Sequence, residues 1–324
     1  MRILVLGGTQ FIGPHVVRYL TEAGHDVTVF HRGQTEADLG DVRHVHGDFA
    51  EFEQAVPGLE AEVVVDMVPW IAKSGRQGVA HFEGVARRGV VVTSADVYRA
   101  FARLWRSEPG PADPVPLTED SPLRQMRAPD RTGEIDFDNI ETEAWARDAK
   151  LPVTVMRLPA THGPGDLQHR LFEYVKRMDD RRPAMLLDEA FAGWRWARGY
   201  VEDVGVAIAL AAGEEKAAGR VYNVAQPKAY TEAEWVRRVA DVHGWSGEIV
   251  AAPAHVLPED LRGGLDAAQE FVVDSSRIRD ELGYAERISD DEGIRRTIEW
   301  ERANPPPQTF DYEAEDRALA AVTT

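Results

Sequence analysis

Short apolar runs and segments of helical period alternate from the first residues onward. Ile3 to Leu6 form an apolar run closed by Gly7-Gly8, and Val16, Val17 and Leu20 recur at helical spacing within Pro14 to Ala23. Gly24-His25-Asp26 stops that helix and Val27 to Phe30 reads as a second strand, so the chain opens with a strand-helix-strand unit. Val42 to His46, Val63 to Met67, Val90 to Thr93, Val153 to Arg157 and Val221 to Val224 are further strands, separated by helical or irregular segments. This alternation predicts an α/β fold with a doubly wound parallel sheet. Its length of 324 residues adds a smaller companion lobe.

The sheet is expected to use residues 1–157 and 199–225, and an interwoven C-terminal lobe residues 158–198 and 226–303. Leu171 to Met178 and Glu232 to His243 predict helices in that lobe. Glu108 to Arg131, rich in Pro, Asp, Glu and Arg, predicts a long loop or insertion of the kind that serves as a lid. Asn304-Pro305-Pro306-Pro307 ends the last clear helix, leaving 304–324 as a tail that is extended or weakly helical from Gln308.

Composition narrows the classes of function. A formal charge of −18 repels nucleic acid and anionic membrane surfaces. The absence of cysteine removes disulfides, thiolate metal sites and a cysteine nucleophile. No apolar run approaches a membrane span. Met1-Arg2 leads into a strand without the charged, apolar and cleavage regions of a signal peptide, so a cytoplasmic location is expected.

Gly7-Gly8-Thr9-Gln10-Phe11-Ile12-Gly13 lies between strand and helix, where glycines let backbone N–H groups approach a pyrophosphate. The pattern predicts a Rossmann dinucleotide site, although Gln10 stands where glycine is usual. At the end of the second strand, Phe30-His31-Arg32-Gly33 supplies no carboxylate for ribose hydroxyls and one guanidinium for a 2′-phosphate, which favours NADP over NAD. His44-Val45-His46-Gly47-Asp48 has the alternation of a metal-binding fragment. With no second cluster to complete a site, no metal is expected, and the Gly-Asp pair is assigned to adenine contact.

These motifs occur together with Val92-Thr93-Ser94-Ala95-Asp96-Val97-Tyr98, Arg157-Leu158-Pro159, Gly163-Pro164-Gly165 and Val221-Tyr222-Asn223-Val224. With Asp274 to Tyr284, the set resembles the extended short-chain dehydrogenase/reductases, specifically their NAD-dependent epimerase/dehydratase branch. The resemblance implies a Rossmann core, a C-terminal substrate lobe, frequent homodimers and a polar, sugar-derived small-molecule substrate. It places the dinucleotide against Gly7, Thr9, Gln10, Phe11, Ile12, Gly13, His31, Arg32, Asp48, Phe49, Met67, Val68, Thr93 and Pro159.

The same resemblance implies a catalytic Ser or Thr with Tyr-x-x-x-Lys. Ser94 matches the hydroxyl. In the segment Ile135 to Glu143, however, Phe137 and Glu141 stand where tyrosine and lysine are expected, and a phenyl ring is neither acid nor base. Tyr98, His162, Asp96 and, if desolvated, Glu141 are the candidate replacements. Trp70, His169, Arg170, Trp194, Arg195, Trp196 and Arg198 are candidates for substrate contact, Arg195 and Arg198 ahead of the tryptophans. Two readings follow: an oxidoreductase, epimerase or dehydratase with an atypical proton donor, or a non-redox NAD(P)-binding sensor or scaffold.

Overall fold

A computed structural model describes residues 1–35, 37–48, 58–68, 78–127 and 138–323. Eleven strands run in chain order within these residues: β1 (Arg2–Leu6), β2 (Asp26–His31), β3 (Arg43–His46), β4 (Val63–Asp66), β5 (Arg88–Ser94), β6 (Val153–Leu158), β7 (Ala160–His162), β8 (Ala184–Asp188), β9 (Arg198–Tyr200), β10 (Val221–Asn223) and β11 (Glu248–Ala252). Seven form one parallel sheet in the order β10-β6-β5-β4-β1-β2-β3. The chain winds outward from β1 to β3 and then returns past it to β4. This reversal opens a crevice beyond the carboxyl ends of β1 and β4.

Both sheet faces are covered, which is why β1 and β4 carry the unbroken apolar runs Ile3 to Leu6 and Val63 to Val65 rather than alternating ones, and why every residue of β6 is buried. Val16, Val17 and Leu20 of the helix Gly13–Glu22 pack with the helix Val201–Gly213 against Ile3, Val5, Val29 and Val65. Leu4, Leu6, Val64 and Val91 face the other way, against Phe82 and Ala146 of the helix Asn139–Asp148. The fold is therefore the expected doubly wound α/β architecture.

The elements outside the sheet form two short parallel pairs, β7 with β9 and β8 with β11. The helices Phe172–Asp179, Glu232–His243 and Asp290–Ala303 share a core of Leu171, Val175, Met185, Trp235, Val239 and Ile294. Glu232–His243 begins and ends where the sequence predicts. Thr231 and Glu234 make a reciprocal capping box, and Gly244 terminates the helix at φ 83°.

One expectation is corrected and another is decided between its alternatives. Glu108–Arg131 was expected as a lid, but its described part, 108–127, is strapped down. Leu117 bridges to Val273, Leu123 bridges to Tyr98, and Asp113, Leu117, Glu119 and Arg124 are buried. The tail, expected as extended or weakly helical, takes the helical alternative over Tyr312–Thr323 and packs on the lobe. Its Ala318 is buried with Leu186, Ala252 and Leu257, and Glu315 pairs with buried Arg177 at 2.8 Å. A 12-residue helix in isolation is marginal, so packing rather than propensity holds this one.

Candidate functional site

The glycine turn after β1 is built by close approach. Gly8 sits at φ 93°, and a Cβ on Gly13 would lie 2.4 Å from the Gly8 Cα, so the first helical turn rests directly on the strand end. Gln10 needs no left-handed backbone; Phe11 takes that conformation instead, at φ 48°, beside Gly165. No side chain caps the helix that follows, and its first turn holds no acidic residue. Its amino end therefore offers uncompensated N–H dipoles to an anion.

A cleft of about 410 Å³ opens on this turn. Gly7, Thr9, Gln10, Phe11, Ile12, Gly13, His31, Arg32, Met67 and Val68 line it, as do Gly8 of the same turn, Val92 of β5, and Gln34, Thr35 and Leu167, which the sequence reading did not single out. Thr9 Oγ1 lies 3.0 Å from Thr35 Oγ1, tying the turn to the loop after β2. The cradle thus fits a pyrophosphate at its centre, with Arg32 at the wall beyond β2.

Three expected contacts lie elsewhere. Asp48 is exposed and lines no part of the cleft, and Phe49 falls outside the described residues. Thr93 points to the opposite sheet face, donating to Glu143 Oε1 at 3.1 Å, because neighbouring strand residues alternate. Pro159 is packed where a Cβ on Gly199 would meet it at 2.9 Å.

Val92 lies in the cleft wall, and Ser94, two residues on and the last residue of β5, shares its sheet face without lining the cleft itself. Ser94 Oγ accepts from the Asp96 N–H at 3.2 Å, starting a single 3-10 turn over Ala95–Val97. Asp96 is held by Asn139, whose amide nitrogen is 3.0 Å from both carboxylate oxygens. Arg124 stands 3.7 Å from Asp96 but is committed to a bidentate pair with Asp138. Desolvation raises the Asp96 carboxyl to about 6, against the opposing pull of Asn139 and Arg124. Asn139 was not foreseen. Its signal was local, since Asp138 caps the helix at Ile140 and thereby turns Asn139 toward Asp96.

Other proposed proton donors are placed differently. Tyr98 is completely buried, donates to Asn223 Oδ1 at 2.6 Å and accepts from Arg157 at 2.9 Å. Burial raises its phenol to about 12, so it is a packed network residue. Glu141 is exposed and bound by Arg127 at 2.8 Å, hence not desolvated. Phe137 lies outside the described residues.

His162, on β7, is buried between the rings of Tyr200 and Trp235 and lines no part of this cleft. Thr297 donates its hydroxyl proton to Gly293 O, so its oxygen accepts from His162 Nδ1 at 3.3 Å. Desolvation, then Arg198 and Arg170, lowers the imidazole from 6.5 to about 3. The folded ring stays neutral while the unfolded one gains a proton below 6.5, so this contribution is complete above that value and is lost as pH falls toward 3. A His162→Gln variant should lose less stability between pH 6.5 and 4 than the parent, by up to about 1.4 kcal/mol per pH unit in urea titrations. Equal slopes would refute it.

The substrate candidates are largely occupied. His169 Nδ1 bonds Glu301 at 2.7 Å and its ring stacks on Trp300; Arg170 serves Asp166 at 2.6 Å and the Thr161 carbonyl at 2.8 Å. Arg195 is bidentate on Glu270, while Arg198 pairs with Glu232 beneath Trp196 and Trp235. Trp194 donates its indole N–H to Gln269 O and belongs to a core cluster against which Trp196 packs. Trp70 falls outside the described residues.

The histidines of β3 have a neighbour the sequence did not reveal. Pairing of β2 with β3 sets His31 opposite His46, and one ligand atom from each of His31, His44 and His46 lies within 4.8 Å of the others.

Comparison with known proteins agrees with this fold and cleft. Residues 3–81 match the model of the NAD dependent epimerase/dehydratase family. The chain is 29% identical to 2′-dehydrokanamycin reductase of Streptomyces kanamyceticus, over 89% of this chain and 79% of that protein. It is 25% identical to a dTDP-glucose 4,6-dehydratase of Streptomyces niveus, over 94% of each. The crystal structure of UDP-glucose 4-epimerase from Thermotoga maritima, determined with UDP-glucose, superposes with a TM-score of 0.66 at 18% identity, covering 94% of this chain and all of that one.

Proposed function

From the match of residues 3–81 to the NAD dependent epimerase/dehydratase family and the relatives above, we propose that the chain is a member of that family, a dinucleotide-dependent oxidoreductase or epimerase/dehydratase acting on a sugar-derived polar small molecule, with Asp96 as its acid-base group. The observation that carries this reading is the cleft on the glycine turn, whose wall includes Val92 of β5, with Ser94 ending that strand on the same face and Asp96 in the turn that follows. Bound nicotinamide supplies or accepts hydride. Gly7 to Gly13 bind its pyrophosphate, and Arg32 with Gln34 and Thr35 favours NADP through a 2′-phosphate.

Ser94 orients the reacting oxygen. Asp96 donates a proton to that oxygen in reduction and takes one from a hydroxyl in oxidation. Asn139 holds the carboxylate in place, while Arg124, engaged by Asp138, adds a fixed positive charge beside it. A carboxyl near 6 is suited to both directions around neutrality.

Deuterium transfer from 4-deuterated NADPH to UDP-linked, dTDP-linked or aminoglycoside ketones tests the activity. Asp96→Asn should lower kcat about 100-fold or more with unchanged dinucleotide affinity. The parent's reduction rate should fall as pH rises through about 6, where the carboxyl loses its proton. Tight dinucleotide binding without transfer to any of these ketones would favour the sensor or scaffold reading. Wild-type kcat in Asp96→Asn would remove Asp96 from the chemistry.

A further inference from the structure

We propose that His31, His44 and His46 form a binding site for a divalent transition metal, of zinc type, at the outer edge of the sheet. Residues 44 and 46 project from the same face of β3, and His31 ends β2 directly opposite His46. His31 Nε2 lies 2.9 Å from His44 Nδ1, and the His31 ring meets the His46 ring edge-on with centroids 4.6 Å apart. One nitrogen from each ring lies within 4.8 Å of the others. Tetrahedral zinc, with Zn–N near 2.0–2.1 Å, requires nitrogens roughly 3.3 Å apart. The two outer rings, His44 and His46, are exposed and so have room to turn toward that spacing.

Sequence spacing alone argued against a metal because a two-histidine fragment has no third ligand; the register of β2 on β3 supplies it. The turn above is shaped to fit, since Gly33, at φ 70°, curls the chain over His46, whose ring a Cβ there would touch at 3.4 Å. The chemistry of three imidazoles selects the ion. Neutral nitrogen donors suit zinc, copper or nickel, whereas magnesium and calcium demand oxygen. Gly33 N–H donates to His31 Nδ1 at 3.2 Å, which leaves the proton on Nε2, shared with His44. On metal entry the His31 proton moves from Nε2 to Nδ1, giving up the bond from Gly33 N–H, so that Nε2 ligates as part of a neutral imidazole and water completes an open fourth position.

The untagged full chain, stripped with a chelator, is titrated with Zn²⁺ by calorimetry and with Co²⁺ by visible absorption. One equivalent of either ion should bind, with the absorption of tetrahedral nitrogen coordination for Co²⁺. His44→Gln and His46→Gln should each weaken binding by about tenfold or more. Neither residue lines the cleft, so both variants should keep the parent's NADP affinity and melting temperature, which separates failure of the metal site from failure of the dinucleotide site. Absence of saturable binding, equal affinity in parent and both variants, or displacement of Co²⁺ by equimolar Mg²⁺ would overturn the proposal.

Discussion

A Gly13→Ala variant should bind NADP or NAD about ten- to 100-fold more weakly than the parent, and should also be less stable. The added methyl would stand 2.4 Å from the Gly8 Cα and 2.5 Å from its carbonyl carbon, both backbone atoms that no rotamer change can move. The helix Gly13–Glu22 must then lift from β1, and its amino end leaves the cleft that Gly7 to Gly13 line. Overpacking of this kind costs about 1–3 kcal/mol. Calorimetric titration with either dinucleotide and urea unfolding measure the two effects separately. Affinity equal to the parent's would show that the turn does not carry the pyrophosphate.

The largest loss of stability is expected from Glu143→Ala, at about 3–5 kcal/mol. Glu143 and Arg157 are each nearly inaccessible, with exposures of 5% and 3%, and join through two bonds of 2.9 and 2.6 Å. Arg157 also donates to Tyr98 at 2.9 Å and to the Glu119 carbonyl at 3.0 Å. Tyr98 passes the network on to Asn223, whose backbone N–H donates to Glu119 at 2.9 Å. Removing the carboxylate leaves the guanidinium buried and without its counter-charge, so the desolvation cost of a charge is no longer offset. Urea or guanidinium unfolding checks the size of the loss. Pairing Glu143→Leu with Arg157→Met should restore much of it, because two apolar side chains leave no orphaned charge. A single variant as stable as the parent would show that water reaches the pair.

This network also explains why Tyr98 was misleading in the sequence. A tyrosine four residues beyond a serine has the spacing of a catalytic neighbour, yet it falls after the 3-10 turn Ala95–Val97 and is carried into the core. Asp96, inside that turn, remains at the strand end. Which of the two stays at the strand end and which is carried into the core depended on one local turn, and Asp96 is held there by Asn139, contributed from a helix more than forty residues away.

By itself the sequence determined the sheet strands, the glycine turn and the order of the motifs that carry the family resemblance. Each of these is written locally: apolar runs of strand length, glycines at positions needing positive φ or close contact, and turn residues between them. Tertiary structure alone decided the rest. It sent Thr93 to the sheet face away from the cleft, occupied Arg195 and Arg198 with carboxylates, buried His162, and folded the tail as a packed helix. It also placed His31 against His44 and His46. These outcomes depend on strand register, on desolvation and on partners distant along the chain, and none of the three is a property of neighbouring residues.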